Sequence, residues 1–422
     1  MASNKIFSLE GKGLKLDTAQ DIEPHIKALK ENSDVEEVRL LGNTLGIGAS
    51  KALAKILETK KKLQIANLAD IFTARLLSEI PPALSHLLTS LLTLPNLHTI
   101  NLSDNAFGLN TQAPLVAFLS SHIPLRHLIL NNNGLGPAAG VLIADALTEL
   151  AAKKEAARRE GKDVASLETV ICGRNRLENG SMGAWAKAYA AHRGVREVKM
   201  VQNGIRQEGI THLLKEGLSH ASQLRVLDLQ DNTFTALGAR ALSDVVGGWT
   251  QLQELGVGDC LLSGRGGVML GKALQEGKNA KLEVLRLQFN DINSKGVKGL
   301  ADAHEKLPAL RRVELNGNRF SEDDEGVEKL REALDARKEQ ADGVGEDDEY
   351  WGLDELDELE DESDEEEGEG VESGEEEEGV EIEEKAAREI AAARQAEEEN
   401  VPLENDKGVD ELAAALKKTE IK

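Results

Sequence analysis

Nine segments of the chain can be written on top of one another. Those beginning at Val35, Leu97, Leu125, Leu167, Val195, Leu224, Leu252, Leu282 and Leu310 each follow L-x-x-L-x-L-x-x-N-x-L, with other aliphatic residues in some leucine places. The stretches LHTINLSDNAF (97–107), LRHLILNNNGL (125–135) and LRVLDLQDNTF (224–234) are near copies. A tenth start, at Leu63, is degenerate and has Ile71 at the asparagine position, and LQELGVGDCLL (252–262) has Cys260 there. Starts recur every 28–30 residues, with longer gaps after Leu63 and Leu125.

A period of this length constrains the fold strongly. Within each unit the fourth and sixth residues are apolar and the fifth is mostly not, Ile129 and Ile171 excepted, the alternation of a strand with one buried face. About 15 residues with a helical stripe follow, as in GARALSDVVGGW (238–249) and GVKGLADAHEKL (296–307). One strand and one helix bury too little to stand alone, so the units must stack. The pattern is the leucine-rich repeat at the long end of its range. It predicts an α/β crescent, a solenoid with parallel strands on the concave face and helices on the convex face. The expected organisation is an N-terminal cap over 1–34, about ten or eleven repeats over 35–340, and an acidic, largely disordered tail over 341–422. A C-terminal cap helix is expected near Asp324–Ala336. The insertion AAKKEAARREGKDVAS (151–166) reads as a solvated extension of a repeat helix, with a partner-binding loop as the alternative.

Composition narrows the function. Length alone would mean two or three compact domains, which the repeats overrule. Aromatic residues make up 3% of the 422, so the core is aliphatic. The net charge of −25 is concentrated, with 24 acidic residues and no Lys or Arg between Glu346 and Glu384. Such a tail repels phosphate, and the near-neutral body shows no basic stripe, so no nucleic-acid partner is expected. Two cysteines, Cys172 and Cys260, fit a reducing compartment without a disulfide framework. The start MASNKIFSLE lacks the apolar stretch of a secretory signal, and no run of 18 apolar residues exists. A soluble cytoplasmic monomer with no membrane partner is expected. No G-x-x-x-x-G-K-[ST] motif occurs, GLGPAAG (134–140) lacks phosphate-loop spacing, and the nine histidines lack zinc spacing. No cofactor or metal site of its own is therefore expected.

Three consecutive asparagines occupy different phases of the repeat. Asn133 holds the consensus position, with Asn43, Asn105, Asn175, Asn203, Asn232, Asn290 and Asn318, where an inward amide can satisfy buried backbone groups of adjoining loops. Asn131 and Asn132 fall between strand and turn. Stacked on Asn132 are Gly42, Asp70, Asp104, Arg174, Gln202, Asp231, Asp259, Phe289 and Gly317, a mostly polar row expected to line one exposed edge of the crescent. Such an edge is either merely solvated or a protein-binding rim.

Several stretches are more specific than the repeat. ADIFTARLLSEIPPAL (69–84), LSDNAFG (102–108), NNGLGP (132–137), CGRNRLENG (172–180), VQNGI (201–205), LQDNTFT (229–235) and ELNGNRFSE (314–322) resemble the Ran GTPase-activating protein family. The likeness runs from the N-terminus through the acidic tail and resembles most the short fungal form. The animal form carries a further C-terminal domain for nuclear-pore attachment; its absence here favours a free cytoplasmic protein. The resemblance implies stimulation of GTP hydrolysis on Ran, with Ran-GTP as partner, GTP and magnesium held by Ran, and nuclear transport given direction. A Ran-binding protein is a further candidate partner. The family is held to work without an inserted arginine finger, and an asparagine matching Asn132 to orient Ran's own glutamine. Arg75 matches a family arginine important for activity; it is assigned to Ran binding and electrostatic support, against an ordinary loop arginine. Two positions on, where the family tends to carry a basic residue, this chain has Leu77. Asn131, Asp104, Arg174, Arg176, Gln202, Asp231 and Asp259 are the remaining candidate contacts. The tail is expected either to steer Ran electrostatically or to act for solubility. The alternative function is a non-catalytic leucine-rich-repeat scaffold or inhibitor, such as a ribonuclease-inhibitor-like binder, against which the low cysteine count weighs.

Overall fold

The computed structural model describes residues 5–341, 345, 348 and 350–360. The chain opens with β1 (Ile6–Ser8), β2 (Lys15–Leu16) and α1 (Ala19–Glu31). Strands and helices then alternate: β3 (Glu37–Arg39), β4 (Thr44–Leu45), α2 (Ile47–Leu57), β5 (Ile65–Asn67), α3 (Ile80–Leu92), β6 (Thr99–Asn101) and α4 (Gln112–Leu119). The middle repeats supply β7 (His127–Ile129), α5 (Gly136–Arg159), β8 (Thr169–Ile171), α6 (Met182–Ala191), β9 (Glu197–Lys199) and α7 (Gln207–His212). The last supply β10 (Val226–Asp228), α8 (Thr235–Val246), β11 (Glu254–Gly256), α9 (Ser263–Gln275), β12 (Val284–Arg286), α10 (Ser294–Ala303), β13 (Arg312–Glu314), α11 (Glu325–Gln340) and β14 (Gly352–Leu353).

Twelve strands form one sheet in the order β1-β3-β5-β6-β7-β8-β9-β10-β11-β12-β13-β14, while β2 pairs with β4. Pairing is parallel and in register from repeat to repeat: Asn67 faces Asn101, which faces Ile129, which faces Ile171. Register is set by burial. In LRHLILNNNGL the residues Leu125, Leu128, Leu130, Asn133 and Leu135 are all buried, while the strand residues between them are half-exposed. Burying each leucine is worth about 1.5–3 kcal/mol, against about 1–2 kcal/mol of backbone entropy for every ordered residue. A single unit does not cover that cost, whereas stacking buries both sides of each unit.

The consensus asparagines tie the stack together. Asn133 Nδ2 donates to the carbonyls of Leu102 and Asn131, and Asn133 Oδ1 accepts from the Asn105 backbone N–H at 2.9 Å. The Asn133 N–H in turn donates to Asn175 Oδ1 at 2.9 Å, and the relay continues through Asn203 and Asn232. Cys260 interrupts it: its Sγ lies 3.3 Å from the Gly258 carbonyl and burial pushes its thiol up to about 12. Cys172, also buried, is likewise raised to about 12. Both thiols stay protonated and inert at neutral pH.

Two boundaries differ from the sequence reading. The acidic segment expected to be tail begins as a folded cap: β14 extends the sheet beyond β13, and Leu353, Leu356 and Leu359 pack on the core. Asp354 accepts from the Leu315 and Asn316 backbone N–H groups at 2.7 and 3.0 Å, the groups an uncapped last strand leaves unpaired. The Arg311 guanidinium lies 5.8 Å from the Trp351 ring centre. The leucine spacing was hidden by the glutamates and aspartates around it. The helix extension at 151–159 is also not fully solvated. Lys154 is buried, and its ammonium donates to the carbonyls of Ile123, Leu125 and Ala165 at 2.6–2.9 Å. An ammonium offers three donors, and here each meets a backbone carbonyl.

Candidate partner-binding rim

After each repeat strand the chain turns through a residue of left-handed backbone, and in most repeats a second follows two positions on, as at Ala106, Arg176, Leu261 and Asp291. Asp70, Asp104, Asn132, Arg174, Gln202, Asp231, Asp259 and Phe289 have φ between 45° and 61°, and Gly42 and Gly317 take the same turn. Asp and Asn tolerate this conformation because their short polar side chains bond locally; for Arg, Gln and Phe it is costly. The row persists because the sheet's ladder runs on through it. Asp70 N–H donates to Ser103 O, Asp104 to Asn131 O, Asn132 to Gly173 O, Arg174 to Val201 O and Gln202 to Gln230 O, all at 2.8–3.0 Å. Backbone hydrogen bonds thus hold these side chains along one edge, one repeat apart.

The three asparagines point three ways. Asn133 is buried, as above. Asn131 is half-buried: its Oδ1 accepts from Gly173 N–H at 2.6 Å, toward the next repeat, and its N–H donates to Ser103 Oγ at 3.1 Å, toward the previous one. Asn132 is exposed, and its Nδ2 donates to Asp104 Oδ1 at 2.8 Å. Arg174, on the adjacent repeat, is exposed, and Arg176 is exposed with an ion pair to Glu178 at 3.8 Å. Gln202 and Asp259 are exposed and Asp231 is half-buried. Asp104, Asn131, Asn132 and Arg174 are therefore brought together on three consecutive repeats, while Asp231 and Asp259 stand further along the same edge.

Arg75 is placed differently from the expectation of a partner-facing charge. Its side chain is 6% exposed and turns inward against the N-terminal cap. Nε donates to Thr44 Oγ1 at 2.9 Å, Nη2 donates to the carbonyls of Thr44 and Leu16, and Nη1 pairs with the Asp17 carboxylate. The Thr44 hydroxyl in turn donates to the Thr73 carbonyl at 2.7 Å. The cause is a concentration of acceptors at the β2–β4 pair, which no sequence neighbour of Arg75 reveals. The arginine clamps the irregular loop 72–79 to the cap, and this loop holds Leu76 and Leu77 exposed.

The sequence reading missed two further features. Glu168 joins Arg126 (2.8 Å) and Arg196 (2.9 Å) across three neighbouring repeats; the partners are a whole repeat apart in sequence. Phe289, already placed in the row by its phase, lays its exposed ring over Gly317, where a Cβ would meet it; that contact between neighbouring repeats is what the sequence did not show. Among the described residues no group of three or more His, Cys, Asp or Glu side chains is placed to hold a metal ion, and no helix is long and apolar enough to cross a membrane.

The family model described as leucine rich repeat matches residues 220–243 and 278–301. Ran GTPase-activating protein 1 of Saccharomyces cerevisiae is 40% identical over 340 residues, covering 78% of this chain and 82% of that one. The Ran GTPase-activating protein of Drosophila melanogaster is 36% identical over 327 residues, covering 77% of this chain and 54% of that one. The ribonuclease inhibitor of Sus scrofa is 24% identical over 357 residues, covering 76% of this chain and 73% of that one.

Proposed function

The chain belongs to the Ran GTPase-activating protein family, and on that premise we propose that it accelerates GTP hydrolysis on Ran by engaging Ran's own catalytic glutamine with Asn132. GTP and magnesium remain Ran's, and this chain supplies a rim that docks beside them. Hydrolysis on Ran in the cytoplasm gives nuclear transport its direction.

One observation carries the mechanism: Asn132 is an exposed side-chain amide, held in a left-handed turn by a backbone hydrogen bond and bonded to the next rim residue. A GTPase is slow when its water-orienting glutamine is poorly held and its transition-state charge is uncompensated. An amide both donates and accepts, so it can fix another amide, and orientation alone supplies several kcal/mol of barrier reduction. The inward turn of Arg75 agrees with a mechanism that inserts no arginine from that loop. Arg75 then serves binding indirectly, by setting the loop 72–79. The remaining rim residues, Asn131, Arg174, Arg176, Gln202, Asp231 and Asp259, frame the contact with Ran, Asp104 stands behind Asn132, and the acidic segment, most of which lies outside the described residues, raises the encounter rate with a basic surface.

A second reading is favoured by Arg174, exposed and next to Asn132 in the row: this arginine could compensate phosphate charge. Single-turnover hydrolysis of Ran-bound GTP, with and without the protein, tests both. Asn132→Ala is expected to lower the saturating rate by about 10²-fold or more with a small loss of affinity. Arg174→Ala is expected to weaken affinity while sparing the saturating rate. A loss of about 10³-fold or more in the saturating rate with Arg174→Ala, and full activity of Asn132→Ala, would exchange the two roles. No acceleration by the unmodified chain would leave a non-catalytic scaffold.

A further inference from the structure

We infer that Asp104 is the positioning residue that sets the polarity of the Asn132 amide, so that Asn132 meets its partner with the carbonyl oxygen. The inference rests on the proposed function and specifies how the same site works.

A free carboxamide has two nearly equivalent orientations, differing only in the exchange of Oδ1 and Nδ2. A carboxylate offers acceptors alone. With Asp104 Oδ1 2.8 Å away, Nδ2 must face Asp104, because the flipped amide would set oxygen against oxygen. Both residues sit at fixed left-handed positions, φ 61° for Asp104 and 51° for Asn132. Their main chains are joined through adjacent repeats, Asp104 N–H to Asn131 O and Asn132 N–H to Gly173 O, each at 2.9 Å. The pair is thus braced from the backbone. Among the described residues it is the one side-chain hydrogen bond joining two members of the row.

The consequence is chemical. With Nδ2 engaged, Oδ1 is the group turned outward, and it accepts. A partner glutamine bound there donates its own NH2 to Asn132 Oδ1. Its Oε1 is then left to accept from the attacking water, the role that orients a nucleophile for in-line attack. An unsupported Asn132 would spread over several rotamers as well as both amide orientations, and only a small fraction of that population would hold the glutamine the right way round.

The full chain tests this. Asp104→Ala is expected to lower the saturating single-turnover rate about tenfold while changing the affinity for GTP-bound Ran by less than about twofold. In an Asn132→Ala background the same substitution is expected to change the rate by less than about twofold, because Asp104 acts through Asn132. An equal loss in both backgrounds, or a loss confined to affinity, overturns the inference and makes Asp104 an independent contact. A readout free of Ran separates this from failure of the proposed function. The Asn132 side-chain NH2 resonance, assigned by its disappearance in Asn132→Ala, is expected to shift and exchange faster in Asp104→Ala. An unmoved resonance overturns the inference even if the protein activates Ran. Absence of activation by the unmodified chain, with the resonance shifted as expected, defeats the functional reading and leaves the hydrogen bond standing.

Discussion

Arg75 is ion-paired with Asp17, 58 residues earlier, and the pair joins the loop of one repeat to the N-terminal cap. The cap reaches this contact through α1, whose N-terminus carries a capping box between Thr18 and Asp21. Loop 72–79 and cap therefore stabilise each other, and the loop borders the rim.

Arg75→Ala tests that coupling. It leaves the Leu16 and Thr44 carbonyls without their charged donor, so the free energy of unfolding should fall by about 1–3 kcal/mol. Activation of Ran should fall mainly through affinity, since the loop moves and Asn132 does not. Chemical denaturation and a saturation series on one variant separate the effects. A variant of unchanged stability with a lost saturating rate would show that Arg75 reaches the reacting groups after all.

The three asparagines should give three phenotypes. Asn133→Ala unpairs the buried Asn105 N–H and removes one of the donors that the Leu102 and Asn131 carbonyls each have, and should cost about 1–3 kcal/mol together with activity. Asn132→Ala removes an exposed side chain, and should leave stability within about 0.5 kcal/mol while removing most activity. Asn131→Ala unpairs Gly173 N–H and should fall between. Equal stability losses at all three positions would contradict the division of labour.

Acid should destabilise the crescent through two histidines. His122 and His192 are buried and lowered to about 4, burial being the chief cause and nearby Lys154 adding to it. Their Nε2 atoms pair with the Leu97 and Leu147 carbonyls at 2.7 Å. Between the unfolded value of 6.5 and about 4, the unfolded chain binds more protons than the folded one. Stability contributed by these groups is present above pH 6.5 and is lost as pH falls to about 4, at roughly 3 kcal/mol for each. Replacing both by Gln, which keeps a donor for the carbonyl, should flatten the pH dependence of the unfolding free energy in that window. An unaltered slope would place the acid sensitivity elsewhere.

Truncations should distinguish cap from tail. A chain ending at residue 341 loses Asp354 from the Leu315 and Asn316 N–H groups and exposes the surface under Leu353, Leu356 and Leu359. It should unfold at clearly lower denaturant than a chain ending at 360. Removing 361–384 from the full chain instead should leave the unfolding midpoint unchanged, slow association with Ran and reduce its dependence on ionic strength. An unchanged salt dependence would rule out steering by the tail.

The crescent was legible because its signal is repeated. A buried leucine every few residues, ten times over, dictates strand register, stacking and the inward asparagine. The positions of Asp104, Asn132 and Arg174 on one edge follow from phase alone, since residues at equal phase stack. The cap at 350–360 was less legible because its leucines are outnumbered by acidic residues that average toward disorder.

What the sequence determines by itself is thus periodic: the solenoid, its concave and convex faces, and which residues share the rim. What only the tertiary structure decides is pairwise contact between repeats. Nothing in one dimension says that Asn132 meets Asp104, that Arg75 turns back to Asp17, or that Lys154 plugs three carbonyls. The physical reason is that phase fixes where a backbone position lies, whereas a side chain goes to whichever acceptor or donor a neighbouring repeat leaves within about 3 Å. That choice determines which atom of Asn132 faces a partner.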